Sequence, residues 1–172
     1  LMSIRTLNLD EVNKLGEGVK AIALPDERWD KVDIKTTNLI PNILAQTKAE
    51  KKFAYTAMLF RDGICTEGAT SNVFAVKDGI LYTHPADNHI LKGITRQMIV
   101  TRVAPSLGIT LIEKEFDRAF VDDADELFFT DTIGGVIPII KLDKNPVSGG
   151  KPGHVTLRLR EALEKLMEEG LP

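Results

Sequence analysis

The sequence predicts a mixed α/β (α+β) domain with a largely antiparallel, barrel-like sheet flanked by helices. Predicted strands outnumber predicted helices, and hairpins alternate with two or three helices, an order typical of this class. The clearest hairpin signal is Asp78–Gly79, which separates two runs rich in β-branched and aromatic residues. With 172 residues, of which 43% are hydrophobic, the chain is long enough to bury one substantial core.

Each element has a local reason. Pro41 is tolerated only in the first turn of a helix, so the helix that runs to about residue 51 should start near Asn38. Its apolar residues 39, 40, 43 and 44 fall on one face, with Ala45 and Ala49 nearby. Strands are predicted at 19–25, 54–60, 64–68, 72–84 (the hairpin), 109–116, 126–132 and 135–143. Further helices are predicted at 93–108, which Gly108 closes, and at 153–170, with a short helix or turn at 117–124 and a polar stretch at 1–18.

Composition excludes several classes of function. The net charge of −3 leaves no basic surface for nucleic acid and no polybasic patch for a membrane surface. The apolar runs are far shorter than the ~20 residues of a membrane span. A single cysteine, Cys65, excludes an internal disulfide framework and favours a cytoplasmic location. Three histidines and one cysteine without ligand spacing argue against a structural zinc site.

Two stretches have the features of anion-binding turns. In "HILKGITRQ" (89–97), Thr95 is placed to cap a helix whose first free N–H groups could bind an anion; an ordinary capped helix is the alternative. In "FFTDTIGGV" (128–136), the end of a strand could present backbone N–H groups to a phosphate, although the charge of Asp131 opposes this. A plain strand–turn–strand is the alternative there.

Three charged residues are ambiguous when each is considered alone. Glu67 at a strand end could be a solvated turn residue, and Arg28 and Lys35 could be ordinary surface charges. Taken with the two turns, however, they form the set that pyridoxal 5'-phosphate requires. The lysine would form a Schiff base, the carboxylate would keep the pyridine nitrogen protonated, and arginine with helix-end N–H groups would hold the phosphate.

The chain resembles the class IV (fold type IV) pyridoxal-phosphate aminotransferases, and within them the D-amino-acid aminotransferases. The stretches that carry the resemblance are "ERWDKVDIKTTNLIPNILAQ" (27–46), "TEGATSNVFAVKDGILYTHPADNHILKGITRQ" (66–97) and "DELFFTDTIGGVIPI" (125–139). They extend over most of residues 19–150 in the order found in that family. The fold implied is that of the large, cofactor-binding domain.

The resemblance implies a role for each candidate residue. Lys35 corresponds to the Schiff-base lysine and proton shuttle and is expected to be buried, and Glu67 corresponds to the partner of the pyridine nitrogen. The implied phosphate ligands are Arg28, Ile94, Thr95, Asp131 and Thr132. Leu91 corresponds to the residue that packs on one face of the cofactor ring.

The implied reaction is transamination of an amino acid, in the D-amino-acid branch, with a 2-oxo acid as acceptor. Leu39 follows the pattern of that branch, whereas the Gly pair in "TIGGVIPI" is similar to (R)-selective amine transaminases. Branched-chain transaminases and aminodeoxychorismate-lyase-like enzymes remain alternatives, as does a truncated domain that binds the cofactor without turnover.

Length is the largest departure from the family pattern. The family has an N-terminal domain that precedes the position of residue 1, so residues 1–18 are expected to be the interdomain connection and 19–172 the pyridoxal-phosphate-binding domain. The chain is then either a fragment or a short homologue. Such a domain should expose apolar surface and self-associate, as a homo-oligomer of the dimer type.

Overall fold

A nine-stranded sheet forms the centre of the computed structural model, which describes residues 6 and 8–170. The strands are β1 (Val19–Pro25), β2 (Thr56–Arg61), β3 (Ile64–Gly68), β4 (Asn72–Lys77), β5 (Ile80–Thr83), β6 (Leu111–Glu113), β7 (Glu126–Asp131), β8 (Gly135–Leu142) and β9 (Asn145–Pro146). The helices are α1 (Leu9–Lys14), α2 (Ile40–Glu50), α3 (Ile94–Met98), α4 (Ala104–Ser106), α5 (Arg118–Asp122) and α6 (His154–Glu168). A π-helical turn, Ile99–Val103, joins α3 to α4, and 3₁₀ turns lie at Leu15–Glu17 and Ser148–Gly150.

The sheet is mixed and curls into a half-barrel. Its order is β3-β2-β1-β8-β7-β4-β5-β6, and β9 pairs with β8. Strand β1 runs parallel to β2 and β8, and β5 runs parallel to β6, whereas the other described pairs are antiparallel. The predicted α/β class with a largely antiparallel sheet is confirmed, with the correction that three pairings are parallel.

Both faces of the sheet carry a hydrophobic core cluster, because successive side chains of a strand point to opposite faces. Along β7, Leu127 and Phe129 enter one core cluster, while Phe128 enters the cluster that packs beneath the 94–106 helix and α6. Phe128 stacks on Phe74 of the neighbouring strand, with ring centroids 4.9 Å apart. A third cluster joins α2 to β1 and β2.

Several local expectations are corrected. Residues 9–14 form helix α1, whose first N–H groups are accepted by the side chain of Asn8. Helix α2 starts at Ile40, since Leu39 occupies the N-cap and Pro41 lies in the first turn. Strand β6 spans three residues where 109–116 was expected. Thr95 is not the helix cap: Gly93 takes that position and no side chain caps the helix.

The site lies where irregular segments meet the ends of strands. Residues 26–39, between β1 and α2, have no regular helix or strand, and neither do residues 84–93, between β5 and α3. These two segments adjoin the C-terminal ends of β3 and β7. No helix within residues 8–170 is long and apolar enough to cross a membrane.

Candidate active site

The structure brings all eight sequence-predicted residues to the wall of one cavity. Its volume is about 260 Å³, close to the lower end of the ~300–1,000 Å³ typical of small-molecule sites. Residues from both irregular segments, from β3, from the start of α3 and from the end of β7 line it. The eight are Arg28, Lys35, Glu67, Leu91, Ile94, Thr95, Asp131 and Thr132.

Glu67 is one of two buried charged residues in the cavity wall, the other being Arg28. Glu67 is only 4% exposed. Glu67 Oε1 accepts a hydrogen bond from Arg28, and Oε2 accepts from Asn72 Nδ2 at 2.8 Å and from the Leu91 N–H at 3.1 Å. Oε1 therefore retains an acceptor position that no described residue fills.

Arg28 is committed to carboxylates behind Glu67. Its Nε and Nη2 donate to the two oxygens of Asp26 at 2.8 and 2.7 Å, and its Nη1 donates to Glu67. The backbone carbonyl of His89 lies 3.4 Å from Nη2. This geometry does not favour the implied role of Arg28 as a phosphate ligand, since most of its donors are used to hold Glu67 and Asp26.

The pKa values follow from burial and from the sharing of one guanidinium. Burial raises the pKa of Glu67 to about 7, against the lowering effect of Arg28. Burial also acts to raise the pKa of Asp26, but its hydrogen bonds with Arg28 dominate and hold that pKa at about 2. The Asp26–Arg28–Glu67 group thus contains one firmly ionised carboxylate, one cation and one carboxylate that titrates near neutrality.

Lys35 lies in the cavity wall but is exposed, contrary to the expectation of burial. The irregular segment that carries Lys35 is held in place by hydrogen bonds at residues 28–32, upstream of the lysine. Asn88 accepts from the Val32 N–H at 2.9 Å and donates through Nδ2 to the Asp30 carbonyl at 2.8 Å. Arg61 Nη2 donates to the Arg28 carbonyl at 2.7 Å.

The two predicted anion-binding turns are joined by a hydrogen bond. Thr95 Oγ1 donates to the Asp131 carbonyl at 2.9 Å, so the start of α3 meets the end of β7. The Asp131 carboxylate folds back onto its own turn, where Oδ1 accepts from the N–H groups of Ile133 at 2.9 Å and Gly134 at 2.6 Å. Those two bonds and a contact from the Tyr55 hydroxyl at 3.2 Å partly offset its charge.

Sequence reasoning missed three buried polar residues of the cavity wall. Asn72 ties Glu67 to the Leu91 carbonyl through one amide nitrogen, with the second bond at 2.8 Å. The hydroxyls of Ser71 and Thr130 are buried and have no hydrogen-bond partner among the residues that the structure describes, and both residues line the cavity. Their only sequence signal is position: both lie beside predicted candidates at strand ends.

Comparison with known proteins agrees with the geometry. A model of the amino-transferase class IV family matches residues 1–142. The chain is 42% identical over 154 residues to the D-alanine aminotransferase of Staphylococcus aureus (strain COL), covering 90% of this chain and 54% of that protein. The D-alanine aminotransferase of Bacillus licheniformis is 40% identical over 147 residues, 86% of this chain and 52% of that protein. The chain thus spans about half the length of the curated relatives it matches.

Solved structures lead to the same family. The branched-chain aminotransferase of Thermoproteus uzoniensis with norvaline superposes with a TM-score of 0.82 at 31% identity, covering 88% of this chain and 52% of that one. An aminotransferase of Brucella abortus bound to the cofactor PLP gives a TM-score of 0.77 at 26% identity, with 88% and 55% covered. Because the family match extends over most of the chain, we conclude that this protein belongs to the class IV aminotransferases.

Proposed function

We propose that this chain forms the cofactor-binding part of a pyridoxal-phosphate-dependent aminotransferase. The observation that carries the proposal is the buried Glu67–Arg28 pair in the wall of the cavity that also holds Lys35. When bound, pyridoxal phosphate supplies an aldehyde for amines and a ring that accepts electrons from the substrate's α-carbon. Catalysis further requires that the protein position that group and move protons around it.

Charge balance supports this cofactor. Asp26, Glu67 and Asp30 offer three carboxylates to the two guanidiniums of Arg28 and Arg61, so this cluster carries a net negative charge when Glu67 is ionised. A protonated ring nitrogen beside the free acceptor position of Oε1 would neutralise it. Glu67 would then hold the proton on that nitrogen, while Asn72 and the Leu91 N–H fix the direction of the carboxylate.

A second part of the cavity wall, at the start of α3 and the end of β7, suits a phosphate. The helix that begins at Ile94 has no side-chain cap, so its first N–H groups remain available to an anion. The unpartnered hydroxyl of Thr130 lies in the same wall, and Thr132 is exposed beside it. We therefore assign phosphate binding to the start of α3 and the end of β7, and Arg28 to the orientation of Glu67.

Lys35 supplies the amine. Its exposure leaves Nζ free to react with an aldehyde and, once displaced by a substrate amine, to take a proton from the substrate α-carbon and return it. Trp29, Ile34 and Leu39 form an apolar wall next to it, which would direct the substrate side chain and exclude part of the water.

We infer that the substrates are an amino acid, with D-alanine as the leading candidate, and a 2-oxo acid acceptor. The D-alanine aminotransferases at about 42% identity support the D-amino-acid branch, and Leu39 in the cavity wall agrees with it. The structural similarity to branched-chain aminotransferases, at 31% identity for one of them, motivates L-leucine as the comparison substrate. A homo-oligomer of the dimer type in the cytoplasm remains part of the proposal.

Absorbance and mass measurements test the lysine assignment. Pyridoxal phosphate added to the chain should produce an absorbance band, and borohydride should fix the label on the peptide that contains Lys35. Lys35→Ala should abolish both signals. Lys31→Ala is the matched control, because Lys31 lies exposed in the same segment outside the cavity wall. Label on another lysine in the Lys35→Ala variant would refute the assignment.

Substrate addition tests the reaction separately. D-alanine, but not L-leucine, should change the absorbance of the loaded protein and release pyruvate in amounts that depend on a 2-oxo acid acceptor. Pyruvate release without any acceptor, from a chorismate-derived amine, would indicate a lyase instead. A band that no amino donor alters would indicate a cofactor-binding domain without turnover.

A further inference from the structure

A second cluster of ligand-type side chains lies beside the cavity, on the 84–93 segment. His84, Asp87 and His89 each offer one ligand atom, and these atoms lie within 4.8 Å of one another. The spacing H-x-x-D-x-H within "HPADNH" matches no familiar zinc motif, which is why the sequence argued against a metal. Folding of the segment brings the three side chains together all the same.

We propose that His84, Asp87 and His89 bind a divalent transition-metal ion of the Zn²⁺ class, and that this ion fastens the two loops of the cofactor cavity. The Asp87 carboxylate lies between the two imidazoles, with Oδ1 3.8 Å from His84 Nδ1 and Oδ2 3.4 Å from His89 Nδ1. Two imidazoles and one carboxylate, with further positions left for water, are a donor set that suits Zn²⁺, Ni²⁺ or Cu²⁺ and disfavours Ca²⁺ and Mg²⁺.

The geometry requires the site to contract when the ion binds. Two ligands with bonds of ~2.1 Å in the tetrahedral arrangement of Zn²⁺ lie ~3.4 Å apart, so a pair separated by 4.8 Å must close by about 1.4 Å. Asp87 and His89 are half-buried and can move, while His84 is buried and provides the fixed ligand. The Asp87 side chain is already oriented, since its Oδ1 accepts from the His89 N–H at 2.8 Å.

One hydrogen bond must change when the ion binds. His84 Nδ1 lies 2.9 Å from the Pro85 carbonyl oxygen, so a proton on Nδ1 would have to move to Nε2. The Pro85 oxygen would then lie at a distance usual for two ligands of one ion and could serve as an additional oxygen donor. Arg96, which donates to the His84 carbonyl, is paired with Glu113, and this pairing offsets the repulsion between its guanidinium and the ion.

The ion would stabilise both sides of the cavity at once. Asn88, between two of the ligands, holds the Lys35 segment through Val32 and Asp30. Leu91, two residues after His89, donates its N–H to Glu67. A metal bound at 84–89 should therefore restrain the segment that carries the amine and the backbone that orients the carboxylate.

Zn²⁺ titration of the full chain, with any histidine tag removed, tests the site. Calorimetry should show one saturable equivalent. His89→Gln should weaken binding by more than the ~10–100-fold that loss of a ligand's supporting partner costs elsewhere. His154→Gln, which changes an exposed histidine at the start of α6, should leave the affinity unaltered. Absence of saturable binding, or equal binding by His89→Gln, would overturn the proposal.

Two further measurements do not depend on affinity or activity. Cu²⁺ as a probe should show nitrogen couplings from two imidazoles in the unaltered chain and from one in His89→Gln, with circular dichroism confirming the fold of the variant. Zn²⁺ should slow hydrogen exchange at the amides of Val32 and Leu91. Unchanged exchange at both amides would refute the coupling to the cavity.

Discussion

Replacing Glu67 by glutamine tests whether the surroundings of this carboxylate favour its protonated form. The folded chain holds the proton of Glu67 up to a pKa of about 7, whereas an unfolded glutamate loses it near 4.5. Between these values the folded state binds more protons than the unfolded state. The free energy of unfolding must therefore fall as the pH rises through this window, and below pH 4.5 the contribution is fully present.

The size of the effect follows from the gap between the two pKa values. At ~1.4 kcal/mol for each pH unit, the gap between 4.5 and about 7 corresponds to about 3 kcal/mol of lost stability by pH 8. Glutamine cannot ionise, so Glu67→Gln should lack this fall. In the variant, the amide N–H of glutamine faces the N–H donors of Arg28 or Asn72, so a hydrogen bond is lost. This loss lowers the free energy of unfolding by an amount that does not depend on pH.

Urea unfolding followed by circular dichroism between pH 4.5 and 8 measures the difference in slope directly. Subtracting the variant from the parent cancels the titration of every group the two share. Glu27→Gln, at a side chain that is exposed, is the matched control and should keep the fall. If Glu67→Gln loses stability across this window as steeply as the parent does, the raised pKa is wrong.

Three further predictions concern the same site and the surface around it. In Gly93→Ala the added Cβ would lie 2.2 Å from Asn72 Oδ1, so the Asn72 side chain must move and lose its hydrogen bond to Glu67. An absorbance titration should then show that pyridoxal phosphate binds about tenfold more weakly. The parent should lose ~2 kcal/mol of stability between pH ~4 and pH ~2, because Arg28 holds the pKa of Asp26 at about 2, and Asp26→Asn should lack this loss. Urea unfolding in acid measures the loss, and an equal loss in the variant would contradict the prediction. Ile43→Glu should shift a self-associated population toward monomer in concentration-dependent light scattering, whereas a parent that is already monomeric would refute the interface.

Local patterns were sufficient to predict most of the strands, whereas the residues of the cavity were predicted from the resemblance to a family. The hairpin at Asp78–Gly79 forms because Asp78 adopts φ 52° and Gly79 φ 76°, which that dipeptide tolerates well. The short β6 could not be anticipated, since a parallel edge strand is defined by its partner β5 and not by its own sequence. The π-helical turn within 94–106 likewise has no signal in the apolar pattern.

Charge pairing at the site depended on contacts that are distant in the sequence. Arg28 and Glu67 are 39 residues apart, so their pairing has no local signal, whereas Asp26, the other partner of Arg28, lies only two residues before it. The same limit applies to Asn72 and Asn88, which act by joining segments. Thr95 was assigned to a cap by residue type, but Gly93, where a Cβ would lie only 2.2 Å from Asn72 Oδ1, occupies that position.

Helix α2 shows how the site and the surface are related. Its buried residues are the small Ala45 and Ala49, which allow close packing on β1 and β2, while Ile43 is 60% exposed. The larger apolar face therefore points away from the core, and Leu39 continues it to the rim of the cavity near Lys35. An exposed apolar face of this kind is expected to pack against another protein surface, and proton transfer at the Lys35 amine requires that water be excluded from the cavity.

Cofactor binding and turnover should therefore separate in this chain. Glu67, assigned to the ring nitrogen, is buried, and the N–H groups at the start of α3, assigned to the phosphate, belong to the backbone, so we expect this chain to bind pyridoxal phosphate by itself. Lys35 and the apolar rim are exposed, so the chemical steps depend on whatever covers that face. If the cofactor binds through Lys35 at every protein concentration and the turnover rate per chain rises as the chain self-associates, this separation of binding from turnover is supported. An equal turnover rate per chain at all concentrations would contradict it.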